Sequence, residues 1–271
     1  MSEDLSPLIH IHADELLNVA HLGARRASAF VTIAATREKD AKNFTDFSLG
    51  ATSKHSFWPS PVAAEAASVA LEEFDSWILG SALRELHSYF ELFLNQVWNW
   101  SKAISLHGAR LPSDYVLEDV AFRDISSVKT KLQKLASIVA VDDHWLKCIS
   151  SMHFARNCLS HGAGYVRARD CTDGSDLCLE WTAMDVLLVD GLEEIPIDLA
   201  ISSGHVVKSS GGAQVIAKKV LREKRFAVGE RLLLANHELA EICTFYTGVS
   251  GLICNGLIDL MTKSGIPVKH A

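Results

Sequence analysis

The segment LGSALRELHSYFELFLNQVWNWSKAI, residues 79–104, decides the fold that the sequence predicts. Its apolar side chains recur every three or four residues, and this spacing places them on one face of an α-helix. The face consists of Leu79, Leu83, Leu86, Phe90, Phe93, Val97, Trp100 and Ile104. Leu92, Leu94 and Trp98 lie outside that face, so we expect neighbouring elements to cover the helix on more than one side. The pattern predicts the central core helix of a mainly helical protein.

Composition and charge narrow the class of protein. Of 271 residues, 48% are hydrophobic and 22% are charged, which is typical of a soluble globular chain long enough to bury a substantial core. A formal net charge of −7 argues against a surface that coats nucleic acid generally, although it leaves room for a local basic site. The six cysteines form no C-x-x-C pair, which favours reduced thiols in a cytoplasmic protein.

Two further segments bear on the compartment. The start of the chain has neither the basic residues nor the apolar run of a signal peptide. The segment from Ile242 to Met261 is poor in charge, but it contains Asn255, Asp259 and several glycines. We therefore expect a buried helix there rather than a membrane span, and a protein without a membrane partner.

Further helices are predicted on both sides of the central one. Small apolar residues mark a helix from about Ala13 to Ala35, followed by a connector from Thr36 to Pro61. An amphipathic helix is predicted from Ile125 to Val139, with Lys129, Lys131 and Lys134 on a solvated face. Asp142 or Asp143 caps the next helix, and Asn236 caps a final helix that ends near Met261.

The segment from Tyr165 to Leu234 changes the pattern from helical to extended. Residues 177–181 and 186–189 are predicted to be short strands, and Ser202 to Gly212 a loop that includes a strand around Val206. Extended or mixed structure is expected from Gln214 to Leu234, where basic residues concentrate. These residues are Lys218, Lys219, Arg222, Lys224 and Arg225. They fit either a charged hairpin face or a contact with RNA.

The most compact group of chemically useful side chains is ARNCLSHG, residues 155–162. Arg156 and Asn157 stand near the end of an apolar helix, and His161 follows four residues after the asparagine. An apolar face through Trp145, Ile149, Met152 and Leu159 places Arg156 on the buried side; a face through Cys148, Met152, Ala155 and Leu159 places it at the edge. A buried guanidinium needs a carboxylate, carbonyl groups or a bound anion.

Arg156 and His161 are five residues apart, which sets them about 140° from each other on an ideal helix. They can meet only if the helix ends near His161, and Gly162 and Gly164 favour that ending. The group would then combine an imidazole that exchanges protons near neutral pH with a permanent cation that fits phosphate oxygens. Metal-free cleavage of a phosphodiester requires these two parts. The same spacing also suits a helix C-cap with a salt bridge.

Arg-Asn followed after three residues by His resembles the R-x(4–6)-H signature of the HEPN superfamily, the higher eukaryotes and prokaryotes nucleotide-binding domains. The position of the run, at the end of an apolar helix that follows two others, is also similar. The resemblance covers roughly residues 75–165, with the final helix completing the bundle. It implies a dimeric helical bundle, with two such motifs at a shared cleft, and in many members a metal-independent ribonuclease of toxin–antitoxin, abortive-infection or antiviral systems.

The resemblance assigns roles to particular residues. Arg156 would bind and polarise the scissile phosphate, and His161 would handle the proton of the ribose 2′-hydroxyl or of the leaving oxygen. Asn157 would orient one of these two groups, and Glu91 is the candidate for the acidic residue that some members place near the arginine. RNA is the implied substrate, without a cofactor or a metal, and an antitoxin or regulatory protein is the implied partner of the homodimer.

The fold class expected is mainly α, a HEPN-like helical bundle with a β-rich insertion (α+β) between the motif helix and the C-terminal helix. The predicted units are residues 1–60 (N-terminal helix and connector), 61–164 (helical core), 165–234 (β-rich insertion or second module) and 235–271 (C-terminal helix of the bundle). One alternative is a non-catalytic HEPN-like module that binds a nucleotide or a protein. Another is a helical structural protein in which Arg156 and His161 only cap and pair.

Overall fold

The fold combines long helices with one small antiparallel sheet. The computed structural model describes residues 12–36, 47–48, 54–55, 64–107, 116–171, 174–208 and 210–268. The helices in this part of the chain are α1 (Ala13–Thr36), α2 (Ala64–Ser105), α3 (Val120–Arg123), α4 (Val128–Leu135), α5 (Asp143–His161), α6 (Ile197–Ser202) and α7 (Asn236–Lys263). The strands are β1 (Phe47–Ser48), β2 (Lys54–His55), β3 (Asp176–Asp190), β4 (Glu193–Pro196) and β5 (Gln214–Ala227). The mixed α+β class predicted from the sequence is confirmed.

Helix α2 is the centre of the helical part, as its sequence predicts. It packs against α1, α5 and α7. Seven of the eight residues of the predicted face are buried, and Trp100 is half-buried. Leu94, outside that face, is also fully buried, whereas Leu92 is exposed. Burial on two sides therefore makes α2 the element on which the other long helices assemble.

The region between α2 and α5 is divided differently from the prediction. Of the single helix expected from Ile125 to Val139, only Val128–Leu135 is an α-helix (α4), and the short helix α3 lies before Ile125. Ser127 caps α4 by accepting a hydrogen bond from the backbone N–H of Thr130. Lys131, predicted on a solvated face, is fully buried because its ammonium group finds three acceptors inside the protein. Lys129 and Lys134 are exposed, as expected.

The three-stranded sheet has the order β4-β3-β5, and both pairings are antiparallel. The two short strands predicted within residues 177–189 are one strand of 15 residues, because β5 pairs with β3 along almost its whole length. Val206 lies in no strand. Its neighbours instead bind the carboxylate of Asp190: Nε2 of His205 lies 3.1 Å from that carboxylate, and the backbone N–H of Lys208 donates to it at 2.7 Å. The sheet packs on α5 and α7 through β3.

The predicted connector from Thr36 to Pro61 lies largely outside the described residues, apart from the paired strands β1 and β2. The final helix begins at Asn236, one residue earlier than it would if Asn236 were the cap. The cap residue is Ala235, whose backbone N–H donates to the carboxylate of Glu238 at 2.6 Å. No helix within the described residues is long and apolar enough to cross a membrane.

Candidate functional site

Helix α5 ends at His161, which is the ending that the motif requires. The buried face runs through Cys148, Met152 and Ala155, so the second of the two phasings is correct. Arg156 consequently lies at the edge of that face and is half-buried. The backbone N–H of Gly162 donates to the carbonyl oxygen of Cys158 at 2.8 Å and closes the helix.

The two glycines after the motif are required by the path of the chain. A Cβ atom on Gly162 would lie 2.7 Å from the carbonyl oxygen of Cys158 and 2.8 Å from that of Tyr165. Gly164 has a φ of +83°, and a Cβ atom there would lie 2.5 Å from Oγ of Ser76 on α2. The turn after His161 can therefore lie against α2 only with glycine at both positions.

Arg167 holds the carbonyl end of α5 in place. Its Nη1 donates to the backbone oxygen of His161 at 2.6 Å, and its Nε donates to the buried carboxylate of Asp170 at 2.9 Å. A cation at this end of a helix is also favoured by the helix dipole. Arg167 was not among the residues predicted from the sequence, although a basic residue just beyond a helix end, followed three residues later by an aspartate, is a usable signal.

Arg156, Asn157 and His153 form a chain of hydrogen bonds along one face of α5. Nη1 of Arg156 donates to Oδ1 of Asn157 at 3.2 Å, and Nδ2 of Asn157 lies 3.0 Å from Nε2 of His153. Because the amide oxygen accepts from the arginine, the amide nitrogen must donate, and Nε2 of His153 must be the unprotonated ring nitrogen. Burial, and secondarily the charge of Arg156, lower the pKa of His153, which favours this neutral form.

A second histidine lies behind this chain, on α2. The ring centroids of His87 and His153 are 5.6 Å apart, and Nδ1 of His87 lies 2.8 Å from the hydroxyl oxygen of Tyr246 on α7. Burial, with smaller contributions from His153 and Arg156, lowers the pKa of His87 to about 3. Burial also raises the pKa of Tyr246, so the hydroxyl stays protonated. Among Arg156, His153, His87 and Tyr246, the arginine is thus the one permanent cation at neutral pH.

Two nitrogen atoms of this cluster are buried and have no hydrogen-bond partner in the described part of the chain: Nε of Arg156 and Nε2 of His87. Buried polar atoms without a partner are uncommon in proteins and are often found where a ligand binds. His87, His153 and Tyr246 were not among the site residues predicted from the sequence. His153 lies four residues before Asn157, so the helical spacing could have indicated it.

Glu91 lies beside this cluster but does not pair with Arg156. Its carboxylate binds Nζ of Lys131 at 2.6 Å, and the same ammonium group donates to Asn95 and to the backbone oxygen of Arg123. The charge of Glu91 acts on His153, where it opposes the lowering of the pKa. The predicted acidic neighbour of the arginine is therefore the partner of a buried lysine.

His161 itself is exposed, and within the described residues its side chain makes no hydrogen bond or ion pair. No hydrogen bond joins Arg156 to His161 among those residues either. The structure thus brings Arg156 and Asn157 together and leaves His161 outside their hydrogen-bonded network.

The predicted basic stretch lies on β5, and most of its charge is neutralised. Four of its five residues form ion pairs: Lys218 with Glu194, Arg222 with Asp185 and Glu241, Lys224 with Glu238, and Arg225 with Glu223. Within the described chain, Lys219 is the member that forms none. These pairs weaken the positive potential available to a phosphate backbone, and RNA contact by this stretch stays a prediction.

No family model, no curated protein and no solved structure matches the chain. The site therefore consists of a half-buried guanidinium oriented by an amide, two neutral imidazoles next to it, and an exposed imidazole at the end of the same helix. Such an arrangement can bind an anion and exchange a proton beside it.

Proposed function

We propose that this chain is a HEPN-like, metal-independent endoribonuclease that acts as a homodimer. The observation that carries the proposal is the state of Arg156. Its guanidinium is half-buried, is oriented by Asn157, and forms no ion pair within the described part of the chain. A guanidinium held in this way is suited to two oxygens of a phosphate group.

The reaction assigned to the motif is an intramolecular transesterification of the RNA. The ribose 2′-oxygen attacks the phosphorus, the bond to the 5′-oxygen breaks, and a 2′,3′-cyclic phosphate and a 5′-hydroxyl result. Arg156 stabilises the negative charge that develops on the phosphate oxygens. His161 takes the proton of the 2′-hydroxyl or supplies one to the leaving oxygen, and each role requires an imidazole accessible to substrate. The exposed position of His161 is compatible with that role.

The separation of Arg156 from His161 supports a site shared by two chains. A second copy that presents its own His161 to the first Arg156 would complete the site, as in a dimer with its two motifs at one cleft. The partner of this homodimer in a toxin–antitoxin or antiviral system would be an antitoxin or a regulatory protein.

Cleavage of RNA in the presence of EDTA tests the proposal. Single-stranded RNA, tRNA and rRNA are incubated with the purified protein and with His161→Ala and Arg156→Ala. Each variant should lose about 10²-fold or more of the cleavage rate, as expected for loss of a proton-transfer group or of charge stabilisation. His237→Ala and Arg169→Ala, which alter exposed residues outside the site, are the matched controls and should cleave normally.

Mixing the two inactive variants tests the shared site. If the site is composite, co-refolded Arg156→Ala and His161→Ala chains regain part of the activity, because one cleft of the mixed dimer has both groups. Absence of cleavage by the unaltered protein on all three RNA classes would contradict the ribonuclease. Nucleotide or protein binding without cleavage would then support the non-catalytic HEPN-like module, which the acidic net charge of −7 and the ion pairs of β5 favour.

A further inference from the structure

Three side chains able to bind a metal ion lie on one face of the β3–β5 pair. Cys178 and Glu180 are two residues apart on β3 and so point to the same side. Glu223 on β5 is directly opposite Glu180 in the register. The sulfur atom and one carboxylate oxygen of each glutamate lie within 4.8 Å of one another.

The two glutamates form a like-charged pair across the strands, an arrangement that destabilises a sheet unless it is compensated. Two basic side chains compensate it in part: Nζ of Lys147 lies 2.7 Å from Glu180, and Nε of Arg225 lies 2.5 Å from Glu223. The side chains of Lys147 and Arg225 are 70% and 50% exposed. Because both basic side chains extend into solvent, either can move away from its glutamate when a metal ion binds there.

Glu180 provides a second and independent indication of a ligand. The residue is 4% exposed, and its Oε2 atom is buried without a hydrogen-bond partner in the described part of the chain. A buried carboxylate oxygen without a hydrogen-bond partner lowers the stability of the fold more than a buried neutral polar atom without a partner does. The carboxylate lines an open pocket of about 470 Å³ together with Cys178 and Ser150. That pocket gives a bound ion access to solvent and room for a water ligand.

We propose that Cys178, Glu180 and Glu223 bind a divalent transition-metal ion of the zinc type, with water completing a tetrahedral site. A thiolate ligand disfavours Mg²⁺ and Ca²⁺, which prefer oxygen ligands, and favours Zn²⁺ or its spectroscopic substitute Co²⁺. On binding, the sulfur–hydrogen bond breaks, the proton leaves to solvent, and the sulfur forms the bond to the metal. The ion would join β3 to β5 and relieve the repulsion between the two carboxylates.

This site is separate from the Arg156 cluster. The pocket is lined from α5 by Lys147, Ser150 and Phe154, whereas His153 and Arg156 lie on another face of the same helix. The proposal therefore does not depend on the ribonuclease, and it places no metal at the proposed cleavage site.

Titration of the full-length, reduced and chelator-treated protein with Co²⁺ tests the proposal. One Co²⁺ per chain should bind and produce a thiolate-to-cobalt charge-transfer band, which Zn²⁺ then abolishes. Cys178→Ser should lose the band. Glu223→Gln should weaken Co²⁺ binding by about tenfold or more, since loss of a residue that only hydrogen-bonds to a metal ligand already lowers metal affinity by about tenfold. Cys171→Ser and Glu194→Gln are matched controls on a cysteine and a glutamate outside the cluster, and they should bind normally.

Three results would overturn the metal site: no thiolate band with the unaltered protein, a band that persists in Cys178→Ser, or an unchanged affinity in Glu223→Gln. Far-ultraviolet circular dichroism establishes the folding of each variant. If Cys178→Ser fails to fold, Glu223→Gln decides the matter, because the side chain of Glu223 is 43% exposed and its replacement leaves the core intact.

Discussion

Replacing His87 by glutamine should reduce the dependence of stability on pH. Burial lowers the pKa of His87 from 6.5 to about 3, so the folded state keeps this imidazole neutral where the unfolded chain protonates it. Between these two pKa values the unfolded state binds more protons, and the stability contributed by neutral His87 is lost as pH falls. Each pH unit below 6.5 costs about 1.4 kcal/mol, so a fall to about pH 5 costs about 2 kcal/mol through this residue.

Urea unfolding at several pH values between about 7 and 5 measures this effect. The difference in free energy of unfolding between the unaltered protein and His87→Gln should change by about 2 kcal/mol in favour of the variant as pH falls to about 5. The comparison cancels the other histidines, which both proteins share. His237→Gln, at an exposed position, should run parallel to the unaltered protein. Parallel curves for His87→Gln as well would refute a buried, neutral His87.

Three other consequences of the structure can be tested separately. Gly164→Ala should destabilise the protein by about 1–3 kcal/mol in urea unfolding, because residue 164 has a positive φ and the added Cβ atom would lie too close to Oγ of Ser76. An unchanged unfolding midpoint would contradict the conformation of the turn after α5. Arg167→Ala should lower the melting temperature, since the last carbonyl of α5 and a buried carboxylate lose their donor, whereas the exposed Arg169→Ala should not. Brief alkylation at about pH 8, followed by mass spectrometry, should modify mainly the half-buried Cys171. Burial raises the pKa of the other five thiols to about 11 or 12, so few of them are reactive thiolates at that pH. Equal labelling of all six cysteines would contradict this protection.

Local periodicity was sufficient for the long helices. The face of α2 is encoded by residues three and four apart, and the end of α5 by two glycines close behind His161, so both could be predicted without tertiary structure. The strands were harder. Residues 182–185 lack a continuous apolar pattern, and they are extended because β5 lies opposite them.

The histidine cluster could not be predicted because its members come from distant parts of the sequence. His87 and Tyr246 are 159 residues apart, and only the packing of α2 on α7 brings them together. The burial of Lys131 has the same origin: its acceptors Glu91 and Asn95 are about 40 residues away on α2. Amphipathic spacing indicates which residues are polar, but it does not show that a charged side chain will find enough acceptors to be buried.

The neutrality of the two histidines preserves the hydrogen bonds that orient Arg156. If His153 were protonated, its Nε2 could no longer accept from the amide of Asn157, and the amide oxygen that orients Arg156 would lose its fixed position. A second positive charge beside the guanidinium would also repel it. Burial prevents both effects by lowering the pKa of His153 and His87. The hydrophobic packing of α2, α5 and α7 therefore sets the electrostatics of the cluster. It buries the two imidazoles and leaves one oriented cation at the edge of the core, five residues before the exposed His161 that ends α5.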